Sequence, residues 1–278
     1  MSLYYDSDDV QLHHGDALDV ARTLPDGMAR TIVTSPPYFG LRDYGEEGQI
    51  GAEDSPQAYT DRLVGVFHEL RRVLVDDGTL WLNLGDTYTG SGGNGRINPR
   101  LSGRAPENVR NRKGASHNGG LAPRNLLGIP WRVAFALQAD GWWLRQEIIW
   151  RKPNGLPTNA PDRYESRHEH VFLLAKSSHY FFAGDARDLG HSDVWGMPTE
   201  SLPGEHVAVM PPELARRAIR AGSDPGDIVL DPFSGSGTTG AVATFEGRKY
   251  IGIDLNRDYL RMSLETRFLQ PSLPWEAL

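Results

Sequence analysis

Ser35-Pro36-Pro37-Tyr38 follows the run Thr31-Ile32-Val33-Thr34 and joins two stiff residues to a hydroxyl and an aromatic ring. Each proline fixes its own φ near about −65°, and Pro37 drives Pro36 toward extended geometry, so the carbonyls of this loop point in set directions. The Ser35 hydroxyl and the Pro36 carbonyl can both accept hydrogen bonds. Two acceptors on a rigid loop suit the exocyclic amine of a nucleobase, whose lone pair is delocalised into the ring and must be drawn toward a tetrahedral nitrogen. Tyr38 adds a flat face on which a base swung out of a duplex can stack. A turn with a packing tyrosine uses the same four residues, so the loop alone leaves both readings open.

A second group of residues lies nearly two hundred positions later. Asp231-Pro232-Phe233-Ser234-Gly235-Ser236-Gly237-Thr238-Thr239-Gly240 contains G-x-G-x-x-G between a strand pattern and a helix pattern. In that setting the glycines let backbone approach a ligand at a helix N-terminus, and Asp254, 23 residues after Asp231, is placed to accept ribose hydroxyls. An adenosine-containing cofactor follows. The carboxylate of Asp231, directly before the glycines, suits the ammonium of a methionine moiety and would repel a pyrophosphate, which favours S-adenosylmethionine over NAD. Phe233 offers an aromatic face to a sulfonium, although core packing would use it equally well.

These loops need a sheet to bring them together. Strand patterns at Val10–His14, Thr31–Thr34, Thr79–Asn83, Trp143–Trp150, His170–Ala175, Asp227–Asp231 and Tyr250–Asp254 alternate with helix patterns. The helices are expected at Ala17–Leu24, from Ser55 and Pro56 through Leu74 with Gly78 as the stop, and at Leu126–Ala139. Three more follow at Pro211–Ala221, at Thr238–Phe245 and after Asn256. This order predicts an α/β fold, a doubly wound and mostly parallel sheet, whose carboxyl-end crevice would hold both loops. One domain spanning 1–278 is the economical reading, with a catalytic-loop half at 1–86, an insertion at 87–124, and pocket strands and cofactor half at 125–278.

The insertion reverses the overall charge. The chain carries −7, yet Arg96, Arg100, Arg104, Arg110, Arg112, Lys113 and Arg124 stand against Glu107 alone between 95 and 124. That stretch is rich in Gly and Asn without apolar periodicity, which fits a solvated loop or a basic arm that orders on DNA. It is the candidate target-recognition region, and Lys152 is a further candidate DNA contact. The chain has no cysteine, which excludes disulfides and thiolate zinc sites. Without a signal pattern or a membrane-length apolar run, a cytoplasmic protein is expected. His13-His14 and His168-Glu169-His170 lack a third ligand cluster, so no metal is assigned. Trp142, Trp143 and Trp150 are read as core and pocket wall, and Arg42 and Asp43 as a gate or a mutual pair.

Taken jointly, these residues resemble the amino-methylating DNA methyltransferases, in the permuted class whose catalytic loop precedes its cofactor loop. The resemblance covers nearly the whole chain. It also takes in His14-Gly15-Asp16-Ala17, Glu147 to Asn154, His168 to Lys176 and Gly204 to Leu214. It implies transfer of a methyl group from S-adenosylmethionine to a flipped base in double-stranded DNA. Asp16 would lie near the cofactor adenine, with Asp231, Pro232, Phe233, Gly235, Gly237, Thr238 and Asp254 around the rest, and Ser35, Pro36, Pro37 and Tyr38 would be catalytic. Ser-Pro-Pro-Tyr usually accompanies cytosine N4 methylation in that family, with adenine N6 the alternative. A cognate restriction endonuclease and a monomeric or homodimeric state are compatible partners. The short stretch between Lys176 and Gly204, where many permuted members carry recognition elements, shifts that role to 87–124. An NAD-dependent oxidoreductase and a DNA-binding module without catalysis are the competing classes.

Overall fold

Alternate residues of the central strands serve two different cores. In the computed structural model, which describes residues 1–41, 46, 48–89, 120–155, 161–201 and 208–269, Ile32, Leu80, Leu82, Phe172 and Leu174 face one side of a sheet. Val33, Trp81, Val171 and Leu173 face the other. Both faces are covered by helices, so these strands read as continuous apolar runs.

The elements in chain order are β1 (Ser2–Asp6), β2 (Val10–His14), α1 (Ala17–Ala21), β3 (Ala29–Thr34), α2 (Pro56–Val73), β4 (Leu74–Leu84), α3 (Ile129–Ala139), β5 (Trp143–Arg151) and β6 (His168–Ala175). There follow β7 (Val194–Gly196), β8 (Glu200–Ser201), β9 (Ala208–Val209), α4 (Pro212–Gly222), β10 (Ile228–Asp231), α5 (Thr238–Phe245), β11 (Lys249–Asp254) and α6 (Arg257–Ser263). Among the described residues nine strands form one sheet in the order β1-β2-β11-β10-β3-β4-β6-β5-β7. The run from β2 to β4 is parallel throughout, β1 runs antiparallel to β2, β6 antiparallel to both β4 and β5, and β7 parallel to β5. The α/β, mostly parallel expectation holds. Residues of α1, α2 and α3 fill one core and residues of α4, α5 and α6 the other.

Adjacent strands β3 and β10 therefore send their following helices to opposite faces, which opens a crevice at their carboxyl ends. Helix α2 starts as its sequence dictates: the Ser55 side chain accepts from the Ala58 N–H and Pro56 opens the first turn. Its end differs from expectation. The helix stops at Val73, and Gly78 lies inside β4, where Ala29 pairs with Leu74 but Thr31 with Thr79. The extra residues bulge there, and glycine suits the tight spot because a Cβ on Gly78 would lie 3.0 Å from the carbonyls of Arg30 and Val75.

Two further boundaries move. Gly128, at φ 66°, delays α3 to Ile129, since that left-handed turn interrupts the helix expected from Leu126. Helix α1 ends at Ala21, three residues before Leu24. Strand β1 had no signal in the sequence, being an exposed edge with no burial alternation to read. Among the described residues, no helix is long and apolar enough to cross a membrane.

Candidate active site

Strand direction decides which loops meet. The carboxyl ends of β3, β4, β5, β10 and β11 and the amino end of the antiparallel β6 share one edge of the sheet. There a cavity of about 740 Å³ is lined by Ser35, Pro36, Tyr38, Asp231, Phe233 and Asp254, with Asp16, Pro37, Pro232, Gly235 and Thr238 also on its wall. The two loops read from sequence border one space. They are also joined directly, because the Thr34 hydroxyl donates to Asp231 Oδ1 at 2.6 Å across 197 residues of chain.

On the β10–β11 side the chain forms a cradle. Gly235 and Gly237 have φ of 51° and 77°, left-handed values that glycine adopts without strain, and Gly237 caps α5. Gly240 serves packing: a Cβ there would lie 2.5 Å from the Tyr250 ring and 2.7 Å from Phe268. Asp254 accepts from the Gly235 N–H at 2.7 Å and the Asn256 N–H at 2.8 Å, so its carboxylate is pinned at the cavity wall. Asp231 Oδ1 also accepts from the Phe233 N–H at 3.0 Å. Burial pushes both carboxyls up to about 6, against the hydrogen bonds from Thr34, Phe233 and Thr239 to Asp231 and from Asn256 and Gly235 to Asp254. Among the described residues no cation bears on either acid.

That site fits S-adenosylmethionine on its own features. Two acids without a cation among the described residues, Asp231 buried and Asp254 partly buried, face a cavity of the right scale, and Asp231 sits where an ammonium would neutralise it. Phe233 both lines the cavity and packs edge-on against Phe67, with ring centroids 6.5 Å apart, so the alternative of a core role holds as well. Asp16 lines the cavity while capping α1 through the Leu18 and Asp19 N–H groups, and lies 3.5 Å from Arg62.

The β3 side is built differently. Tyr59 donates to the Pro37 carbonyl at 2.9 Å, so that carbonyl is taken, and Pro36 beside it lines the cavity. The Tyr38 hydroxyl donates to Glu169 Oε2 at 2.6 Å and accepts from Asn83 at 3.0 Å and from Ser35 Oγ at 3.3 Å. Burial raises the Tyr38 phenol well above the ordinary value, and neighbouring Glu169 adds to that. Gly85 lies against the ring, because a Cβ there would fall 2.6 Å from it.

Asn83 and Glu169 were missed in the sequence, the latter passed over between two histidines considered for metal. Strand alternation was the available signal: His168 and His170 share a face, with ring centroids 5.2 Å apart, and Glu169 must point the other way. Among the described residues no cluster of metal-ligating groups forms. Lys152, expected at the DNA, lies in the cavity wall, salt-bridged to Glu169 and 4.4 Å above the Trp150 ring. Trp142 and Trp150 are buried as expected, but Trp143 is about half exposed. Arg96, Arg100, Arg104, Arg110, Arg112, Lys113, Arg42 and Asp43 lie outside the described residues.

Residues 29–265 match the N6/N4 methylase family, described as DNA methylase. The chain belongs to this family. The methylase is 47% identical over 266 residues to the Type II methyltransferase M.XycI of Xanthomonas campestris pv. cyanopsidis, covering 91% of this chain and 86% of that protein. It is 46% identical over 269 residues to M.SmaI of Serratia marcescens, with 90% and 88% covered. Among solved structures, the PvuII DNA methyltransferase (cytosine-N4-specific) superposes with a TM-score of 0.73 at 21% identity, covering 99% of this chain and 92% of that one. A putative DNA modification methylase of Thermus thermophilus, solved in complex with S-adenosyl-L-methionine, gives 0.64 at 26% identity, with 91% of each covered.

Proposed function

We propose that this DNA methylase transfers a methyl group from S-adenosylmethionine to the N4 amine of a cytosine flipped out of double-stranded DNA. One observation carries the reading: the Ser35-Pro36-Pro37-Tyr38 loop and the Asp231 to Thr238 loop line one cavity and are joined through Thr34 and Asp231. Bound there, the cofactor supplies an electrophilic methyl on a sulfonium.

The chain's own groups do the rest. Asp231 pairs with the methionine ammonium, which restores its ionised form, and Asp254 accepts the ribose hydroxyls while its backbone contacts hold it still. Gly235 lets main chain close on the ligand, with Asp16, Pro232, Phe233 and Thr238 completing the wall; Gly237, expected at the cofactor, lies off the cavity wall, where it caps α5 and packs against Ser263 and Phe268. Ser35 Oγ and the Pro36 carbonyl accept from the target amine and localise its lone pair, Pro37 keeps the loop stiff, and Tyr38 borders the flat ring. Positioning supplies most of the acceleration, since a methyl displacement needs donor and nitrogen held in line.

Cytosine is favoured over adenine by Ser35, a small neutral acceptor suited to a pyrimidine pocket. The segment 87–124 reads the DNA sequence through Arg96, Arg100, Arg104, Arg110, Arg112 and Lys113, whose charge opposes the chain's net −7. Lys152, already paired with Glu169, acts inside the pocket more than on phosphates. A cognate restriction endonuclease fits the Type II naming of the relatives. Mass spectrometry of nucleosides from DNA treated with the protein and S-adenosylmethionine tests the proposal. N4-methylcytosine is expected; N6-methyladenine would move the target, and unmodified DNA would overturn the function.

A further inference from the structure

The hydroxyl of Ser35 can donate or accept, and only the accepting orientation helps an amine lose its protons. The network behind the loop settles which it does. Lys152 is bound to Glu169 Oε1, and Asn83 donates to Oε2 at 2.8 Å, so this carboxylate is held among donors with a side-chain exposure of 14%. An ionised carboxylate cannot donate, so the Tyr38 hydroxyl must spend its single proton on Glu169, at 2.6 Å. The Tyr38 oxygen is then acceptor only. It takes the Asn83 amide proton and the Ser35 proton, at 3.0 and 3.3 Å. With its own proton turned inward, Ser35 presents lone pairs alone to the cavity. Asn83 obeys the same polarity: its amide nitrogen faces the network and its Oδ1 is buried with no partner among the described residues.

We propose that Glu169 is a positioning residue which, through Tyr38, polarises Ser35 into an obligatory acceptor for the target amine, with Lys152 holding the Glu169 carboxylate in place. The inference rests on the reading of Ser35 as the amine's acceptor. Glu169→Gln turns the chain of hydrogen bonds around, because an amide N–H can now donate to Tyr38, whose hydroxyl then donates to Ser35 Oγ and leaves the Ser35 proton aimed at the substrate.

Single-turnover methylation of duplex DNA, measured by labelled-methyl transfer for the wild type, Glu169→Gln, Tyr38→Phe and the double variant, tests this, with S-adenosylmethionine affinity and thermal melting as controls. Glu169→Gln is expected to slow transfer at least about tenfold while cofactor affinity stays within about twofold. In the Tyr38→Phe background, where the hydroxyl link is cut, the same change is expected to cost nothing further. A Glu169→Gln rate close to wild type overturns the inference, as does an equal loss in both backgrounds, which would mean that Glu169 acts independently of Tyr38. If Glu169→Gln melts early, Lys152→Met takes its place, with a slowed transfer that vanishes in the Tyr38→Phe background expected, and a wild-type rate overturning. Wild-type protein that methylates no amine in DNA would sink the underlying reading instead, and the two failures are told apart by that first arm.

Discussion

The two walls of the cavity handle charge in opposite ways. On the β10–β11 wall, the buried Asp231 and the partly buried Asp254 are held by neutral donors, with no cation among the described residues and their carboxyls pushed up to about 6. On the β3–β6 wall, Glu169 already has Lys152. The first wall is incomplete until a cation arrives, and the second is internally neutralised and ready for an uncharged base. One pocket is thus divided into a half that selects by charge and a half that selects by the direction of its hydrogen bonds.

The sharpest way to break this contrast is Ser35→Ala. Methyl transfer is expected to fall about 10²- to 10³-fold, with S-adenosylmethionine affinity measured by calorimetry nearly unchanged. Loss of both together would mean that the walls are not separable. Asp231→Asn should do the reverse, weakening cofactor binding about 10- to 100-fold. It should also raise the thermal stability of the ligand-free protein at pH 7.5 by about 1–2 kcal/mol. The sign follows from burial. Both carboxyls titrate near 6 in the folded chain and at 3.8 in the reference state, so their contribution to folding is complete below about pH 4 and is lost as pH rises through about 6. Asparagine removes the buried charge and can still accept from Thr34.

Cofactor affinity should run against that stability trend. An ammonium beside Asp231 favours its ionised form, so affinity is expected to level off above about pH 7 and to fall up to about tenfold per unit below pH 6. Titrations at several pH values check this, and a flat profile would detach Asp231 from the ammonium. The smallest effect belongs to Gly85→Ala, whose Cβ would press the Tyr38 ring from 2.6 Å. Transfer should drop about threefold to tenfold through misalignment, with cofactor affinity held.

The sequence was more legible on the first wall than on the second. Gly235, Gly237 and Asp254 belong to one contiguous strand–turn–helix–strand unit, where short-range spacing carries the geometry. Ser55 and Pro56 marked α2 for the same local reason. Asn83, Lys152 and Glu169 come from three strands or their ends, whose adjacency depends on the order β4-β6-β5 and on the reversal of β6. Alternation gives the face of a residue and never its neighbour on the next strand. Hence nothing local to Lys152 in the sequence points to Glu169 as its partner. Gly78 misled in a similar way, since a glycine after a helix pattern marks a stop or a bulge equally well.

Strand order also governs when the site can exist. Strands β10 and β11 come late in the sequence and slot between β2 and β3, which come early. During synthesis β2 and β3 must wait, their inner edges unpaired, until roughly two hundred further residues have emerged. The Thr34 hydroxyl then meets Asp231, and catalytic loop and cofactor cradle appear in the same closing step. A nascent chain of this methylase therefore lacks the joined cavity until β10 and β11 have emerged and paired.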